Sequence, residues 1–147
     1  MTAPADPAEL KSCCAALYQS DFARLLLGDT FHPGGRRLTA RLGELLGLGP
    51  AVRVLDVATG KGESAIFLAR QFGCEVVGVD FGPRNVREAN SRATAAQVDH
   101  LVSFAEGDAE RLDFPDAGFD AVICECAFCA FPDKAAASSE FARNWAT

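Results

Sequence analysis

Three groups of residues in this 147-residue chain have types and spacings that could do chemistry. The first is the glycine turn in "VLDVATGKGESA", Val54 to Ala65, where Gly60, Gly62 and Ala65 follow the spacing G-x-G-x-x-A. A turn of this kind between a strand and a helix aims backbone N–H groups at a ligand, and an acidic residue after the next strand binds ribose. The second group is a set of carboxylates, Asp56, Asp80 and Asp108, each close to the end of a β-rich run. The third is six cysteines, with Cys13 and Cys14 adjacent and Cys124, Cys126 and Cys129 inside "AVICECAFCAF".

Asp56 separates two cofactor classes. It precedes Gly60 by four residues, where its charge would repel a pyrophosphate settling on the helix N-terminus. A dinucleotide such as NAD is therefore disfavoured. S-adenosylmethionine carries no phosphate and brings an ammonium and a sulfonium, which a nearby carboxylate stabilises. Asp80, closing "VVGVD", is placed to accept two ribose hydroxyls in either reading. Asp108, in "EGDAERLDF", is within reach of an adenine amino group, or it caps the turn that follows it.

The cysteines divide differently. The fourth strand, "FDAVICECAF" from Phe119, carries Cys124 and Cys126 on one face, and Cys129 falls past its end. Buried cysteine is a small hydrophobe, and that reading suits Cys74 and Cys124 best. Ligands of open α/β sheets sit beyond the carboxyl ends of the strands, which brings Cys126 toward a cofactor's reactive end. Zinc held by Cys124, Cys126, one of Cys13 or Cys14, and His32 is a further option, although the spacing C-x-C-x-x-C matches no standard finger.

Four strands, beginning near residues 52, 74, 101 and 119, must position these groups. Helical patterns fill the first two intervals, and the link from third to fourth strand is short and holds "PDAG", Pro115 to Gly118. This alternation predicts an α/β fold with a parallel sheet and helices on both faces. Helices are also predicted over 6–27, over 36–48 with Leu38, Leu42, Leu45 and Leu46 on one stripe, and over 133–145. Residues 1–49 thus form an N-terminal helical cap region and 50–147 the cofactor-binding core.

The bulk properties exclude several classes. The net charge is −6 and no basic stripe is present, which argues against nucleic acid and for a small-molecule partner. There is no apolar run of about 18 residues or more, hence no membrane span. The N-terminus lacks a basic start and an apolar signal core, so the expected location is the cytoplasm, with free thiols.

Four ordered segments carry a family resemblance: "VLDVATGKG", "VVGVD", "GDAERLDFPDAGFDAV" and "FPDK". Over about Val52 to Arg143 they resemble class I S-adenosylmethionine-dependent methyltransferases. Within that superfamily the chain is similar to the ubiquinone/menaquinone-type enzymes and, more closely, to arsenite methyltransferases. The resemblance implies a Rossmann-like core of sheet order 3-2-1-4. It implies that Asp56, Gly60 and Gly62 face the methionine part of the cofactor, Asp80 the ribose, and Asp108 with the Ala109 backbone the adenine. Ala58 and Phe81 are cofactor contacts on the same basis.

Cys126 falls on the cysteine that arsenite methyltransferases carry after the fourth strand. Trivalent arsenic is thiophilic, and a thiolate-bound arsenic keeps a lone pair that can attack a sulfonium methyl. Cys126 with Cys13 or Cys14 would hold it (the metal assignment being Cys126 and Cys14), Tyr18 would lie nearby, and a small thiol co-substrate would complete the site. The alternatives are an organic acceptor of the quinone or natural-product type, and a non-catalytic, thiol-rich metalloid-binding fragment. Class I enzymes continue past this point with "LRPGG"-like sequence and further strands, whereas this chain reads "NWAT" after Arg143. A C-terminally truncated core is expected, with the fourth strand an exposed edge open to dimerisation.

Overall fold

The computed structural model describes residues 6–18 and 34–147. The order of elements is helix α1 (Pro7–Tyr18), helix α2 (Gly35–Leu45), strand β1 (Arg53–Val57), helix α3 (Glu63–Phe72), strand β2 (Glu75–Asp80), helix α4 (Pro83–Ala95), strand β3 (Val102–Glu106), strand β4 (Ala121–Ile123), a short 3-10 turn (Phe128–Ala130) and helix α5 (Lys134–Asn144). The predicted helix over 6–27 is described only to Tyr18, and Gly28 and His32 lie outside the described residues.

The sheet has the order β3-β2-β1-β4 with every pairing parallel, as the sequence implied. Both faces are covered. Val54, Val76, Phe104, Ala121 and Ile123 pack with Ala65, Leu68, Val86 and Ala89 from α3 and α4. Leu55, Val57, Val77 and Val79 form the other core with Leu112 and Phe119, which Phe131 and Phe141 flank. Strands buried on both faces read as continuous β-branched runs rather than alternating ones, and "VRVLDV" and "EVVGVD" are such runs.

Local signals set the boundaries. Helix α3 stops at Gly73, whose φ of 70° is left-handed and readily adopted only by glycine. Pro83 opens α4, where a missing N–H is harmless. The Asp133 side chain caps α5 by accepting from the Ala136 N–H at 2.9 Å. Helix α2 ends three residues earlier than the leucine spacing suggested. The chain turns at Leu46 and Gly47, where φ is 63°, so that Leu48 drops into the core.

The fourth strand differs most from expectation. It ends at Ile123, so Cys124 and Cys126 do not share a strand face. Cys126 has a φ of 56°, which turns the chain away from the sheet. The residues after Arg143 are packed rather than appended. Asn144 is 0% exposed, and its carbonyl accepts from the Phe119 N–H at 3.1 Å. The Ala146 N–H donates to the Phe119 carbonyl at 2.7 Å, and Trp145 Nε1 donates to the Asp120 carbonyl at 3.1 Å. A parallel bridge between Phe119 and Trp145 thus flanks the entry to β4. No helix among the described residues is long and apolar enough to cross a membrane.

Candidate functional site

The carboxyl ends of all four strands open into one cleft of about 1240 Å³, mouth included. Each strand contributes through the loop that leaves it. Asp56 and Val57 end β1, and Ala58 to Lys61 form the turn after it. Asp80 and Phe81 follow β2, Gly107 to Glu110 follow β3, and Glu125 to Ala127 follow β4.

The turn after β1 is shaped by left-handed backbone at Ala58, Gly60 and Gly62, with φ of 58°, 58° and 77°. The two glycines serve different ends. A Cβ at Gly60 would meet nothing within 4 Å, so the turn presents open backbone there to whatever enters the cleft. A Cβ at Gly62 would lie 2.5 Å from Phe104 Cζ and 3.1 Å from Ala89 Cβ. Gly62 therefore lets α3 sit close against β3 and α4.

Asp80 is the best-organised carboxylate. Its Oδ2 accepts from the Gly60 N–H at 2.8 Å, tying the turn after β1 to the end of β2. Its Oδ1 accepts from the Gly82 N–H at 2.9 Å and from Asn85 Nδ2 at 3.0 Å. Burial raises its pKa, and these three donors counteract the rise. With one N–H donor on Oδ2, that oxygen keeps acceptor capacity toward the cleft.

Asp56 is more strained electrostatically. It is 2% exposed and accepts from the Thr59 hydroxyl at 2.6 Å. Burial pushes its carboxyl up to about 7, Glu125 and Asp80 add to the rise, and the Thr59 hydrogen bond opposes it. Asp108 caps its own turn through Oδ1, which accepts from the Glu110 N–H at 2.9 Å. Its Oδ2 is 2.7 Å from Lys11 Nζ of α1, which also lies 2.5 Å from Glu110. Asp108 thus caps its turn and also lines the cleft, and Lys11 is an addition that no local pattern announced. Phe81 and Ala109 line the same cleft.

The cysteines separate. Cys126 is exposed and lines the cleft. Cys124 is half-buried against the core that Leu55 and Val57 belong to, and its thiol is pushed up to about 12, first by burial and then by the Asp56 charge. Such a thiol stays protonated and is a poor soft ligand. Cys13 is exposed on α1 and is not part of the cleft wall; Cys74 is in the core. The side chains of Cys14 and Tyr18 lie outside the described residues. Among the described residues no three His, Cys, Asp or Glu side chains are grouped to hold a metal ion, and the zinc option also calls on His32, which lies outside them.

One charged cleft residue was not foreseen. Glu125, two residues past β4, faces the cleft and accepts from Thr39 Oγ1 of α2 at 3.1 and 3.2 Å and from the Ser64 hydroxyl of α3. Its only sequence signal is a charge inside an apolar run, "VICEC". Beyond it the cleft wall is apolar, formed by Ala127, Ala130, Phe131 and Pro132.

A strand-end cleft with a left-handed turn after β1 and a carboxylate after β2 is the cofactor end of a Rossmann-like methyltransferase fold. Residues 54–146 match the family described as a methyltransferase domain, and the chain belongs to that family. It is 50% identical over 82 residues to a demethylmenaquinone methyltransferase of Deinococcus radiodurans, covering 55% of this chain and 33% of that one. It is 41% identical over 93 residues to a 27-O-demethylrifamycin SV methyltransferase of Amycolatopsis mediterranei, covering 63% of this chain and 34% of that one. An S-adenosylmethionine-dependent methyltransferase from Thiobacillus denitrificans, solved with S-adenosylhomocysteine, superposes with a TM-score of 0.70 at 26% identity, covering 86% of this chain and 51% of that one. The chain thus spans about a third to a half of the length of these relatives.

Proposed function

We propose that this chain binds S-adenosylmethionine across the strand ends and transfers its methyl group to a small organic acceptor. One observation carries the reading: Asp80 is held by the Gly60 and Gly82 N–H groups and Asn85, its carboxylate still able to accept a diol. The rest of the cleft fits the same ligand. Gly60 leaves open space along the turn, and Asp56 offers charge to a cation where a phosphate would be repelled. Lys61, the cation within the turn, pairs with Glu88 at 3.3 Å and does not offset that repulsion.

The bound sulfonium supplies an electrophilic methyl group. This chain's residues bind and orient: Asp80 takes the ribose hydroxyls, and Asp108 with the Ala109 backbone faces the adenine end. Ala127, Ala130, Phe131 and Pro132 offer an apolar wall to the acceptor and exclude water. An apolar wall suits a quinone-like or natural-product acceptor, the types of molecule named in the two curated relatives.

A second reading, trivalent arsenic as acceptor, rests on Cys126 at the cleft wall. It needs further thiolates, from Cys13, Cys14 or an added small thiol.

Calorimetric titration with S-adenosylhomocysteine tests the cofactor assignment. The folded chain is expected to bind, and Asp80→Asn to bind at least about tenfold more weakly, since a charge-assisted pair of hydroxyl contacts is lost. A folded wild-type chain that does not bind overturns the proposal.

A further inference from the structure

Cys126, Ala127, Phe128 and Cys129 form a C-x-x-C unit that binding of the cofactor leaves unused. It lies on the segment that leaves β4 and builds the apolar end of the cleft, where Cys126, Ala127, Ala130, Phe131 and Pro132 line the wall. Both thiols are exposed and free. The other described cysteines are placed differently. Cys74 is buried in the core, Cys124 is half-buried, and Cys13 stands on α1 outside the cleft wall.

Backbone conformation sets the distance between the pair. Ala127 has φ −116° and ψ −18°, and Phe128 opens the 3-10 turn, so both intervening residues are right-handed. Four residues with that conformation at their centre bring the outer Cα atoms within about 7 Å, the limit for a disulfide without movement of the chain.

The turn is braced. The Ala130 N–H donates to the Ala127 carbonyl at 2.9 Å, and the Phe131 N–H to the Phe128 carbonyl at 3.3 Å. The Phe128 and Phe131 rings meet edge-on at 5.7 Å, and Phe141 of α5 meets them at 6.1 and 6.4 Å. Cys126 has a φ of 56°, which a residue with a side chain holds only where its surroundings fix it. Two thiols on one braced turn meet at high effective concentration, which favours an intramolecular bond over two separate adducts.

We infer that Cys126 and Cys129 are a redox-modifiable dithiol at the apolar end of the cleft, oxidised to a disulfide by a small-molecule disulfide. The Cys126 thiolate attacks one sulfur of the small disulfide, forming a mixed disulfide and releasing one small thiolate. The Cys129 thiolate then attacks the Cys126 sulfur and expels the second. The two cysteine protons end on the two small thiols; the cysteines lose two electrons and the small disulfide gains them. Excess small thiol runs the sequence backward. The bridge ties the entry of the turn to its middle and stiffens the wall that Ala127, Ala130 and Phe131 present. That wall faces the acceptor on the reading proposed above, but the pairing itself needs no bound cofactor.

The test treats the reduced full chain with oxidised glutathione, blocks remaining thiols, and maps the cysteines by peptide mass spectrometry with fragmentation. The bridge is expected between Cys126 and Cys129, with the loss of two hydrogens and no retained glutathione, while Cys74 and Cys124 are recovered as blocked thiols. Cys129→Ser is expected to stop at a glutathione adduct on Cys126, and Cys124→Ser to form the bridge as wild type does. On oxidation, amide hydrogen exchange over 127–132 is expected to slow at least about threefold and that over 58–62 to change less than about twofold. A bridge through Cys124, a glutathione adduct that persists on wild-type Cys126, no oxidation at all, or unchanged exchange over 127–132 overturns the inference. Calorimetry with S-adenosylhomocysteine on the reduced chain decides the cofactor proposal separately, because the bridge forms whether or not that ligand binds.

Discussion

Removing the negative charge of Asp56 should stabilise the unliganded protein, and by an amount that depends on pH. Asp56 is 2% exposed, and its carboxyl is moved from 3.8 to about 7 by burial first, with Glu125 and Asp80 adding to the effect. Below 3.8 the group is protonated in both folded and unfolded chains and contributes nothing. Between 3.8 and about 7 the unfolded chain ionises while the folded one does not, so stability falls as pH rises. Above about 7 both are ionised and the full penalty is present. At about 1.4 kcal/mol per pKa unit, this amounts to roughly 1.7 kcal/mol at about pH 5 and roughly 4 kcal/mol at about pH 8.

Asp56→Asn removes the titration and keeps an acceptor for the Thr59 hydroxyl. Urea unfolding, followed by the fluorescence of Trp145, the single tryptophan, measures the result. The variant's stability relative to wild type should increase by about 2.5 kcal/mol between about pH 5 and about pH 8. A difference that does not change with pH would refute the reasoning, because it would mean that Asp56 ionises in the fold as it does in water. The same variant should bind S-adenosylhomocysteine more weakly, so the site gains function at the expense of stability.

Two further outcomes are expected. Gly62→Ala should destabilise by about 3 kcal/mol in urea unfolding, because it combines a left-handed backbone with overpacking against the Phe104 ring; a loss under about 0.5 kcal/mol would contradict the close approach of α3 described here. If arsenic is the acceptor, the wild-type chain given arsenite, excess small thiol and S-adenosylmethionine should form methylated arsenic, and Cys126→Ser should abolish this without changing S-adenosylhomocysteine affinity; full turnover in the variant would remove Cys126 from that reaction.

What the sequence determined alone is the frame and the cofactor end of the cleft. The β-branched runs at β1 and β2, the glycine turn after β1 and the stop at Gly73 are local features, and their spacing forces parallel strands with crossover helices. Once that is so, Asp56, Asp80 and Asp108 must stand near strand ends on one side of the sheet, where the structure has them. The tertiary structure alone decided the rest. Whether a glycine faces the ligand or a packing partner depends on Phe104, 42 positions beyond Gly62, and no spacing rule reports it. Cys124 and Cys126 look equivalent in a run of alternating residues until the left-handed turn at Cys126 sends one inward and the other into the cleft. Glu125 meets Thr39 and Ser64 across 86 and 61 residues, and Lys11 meets Asp108 across 97. Such pairs form only after the helices have packed, because burial and not local propensity selects which hydroxyl or ammonium comes within reach of which carboxylate.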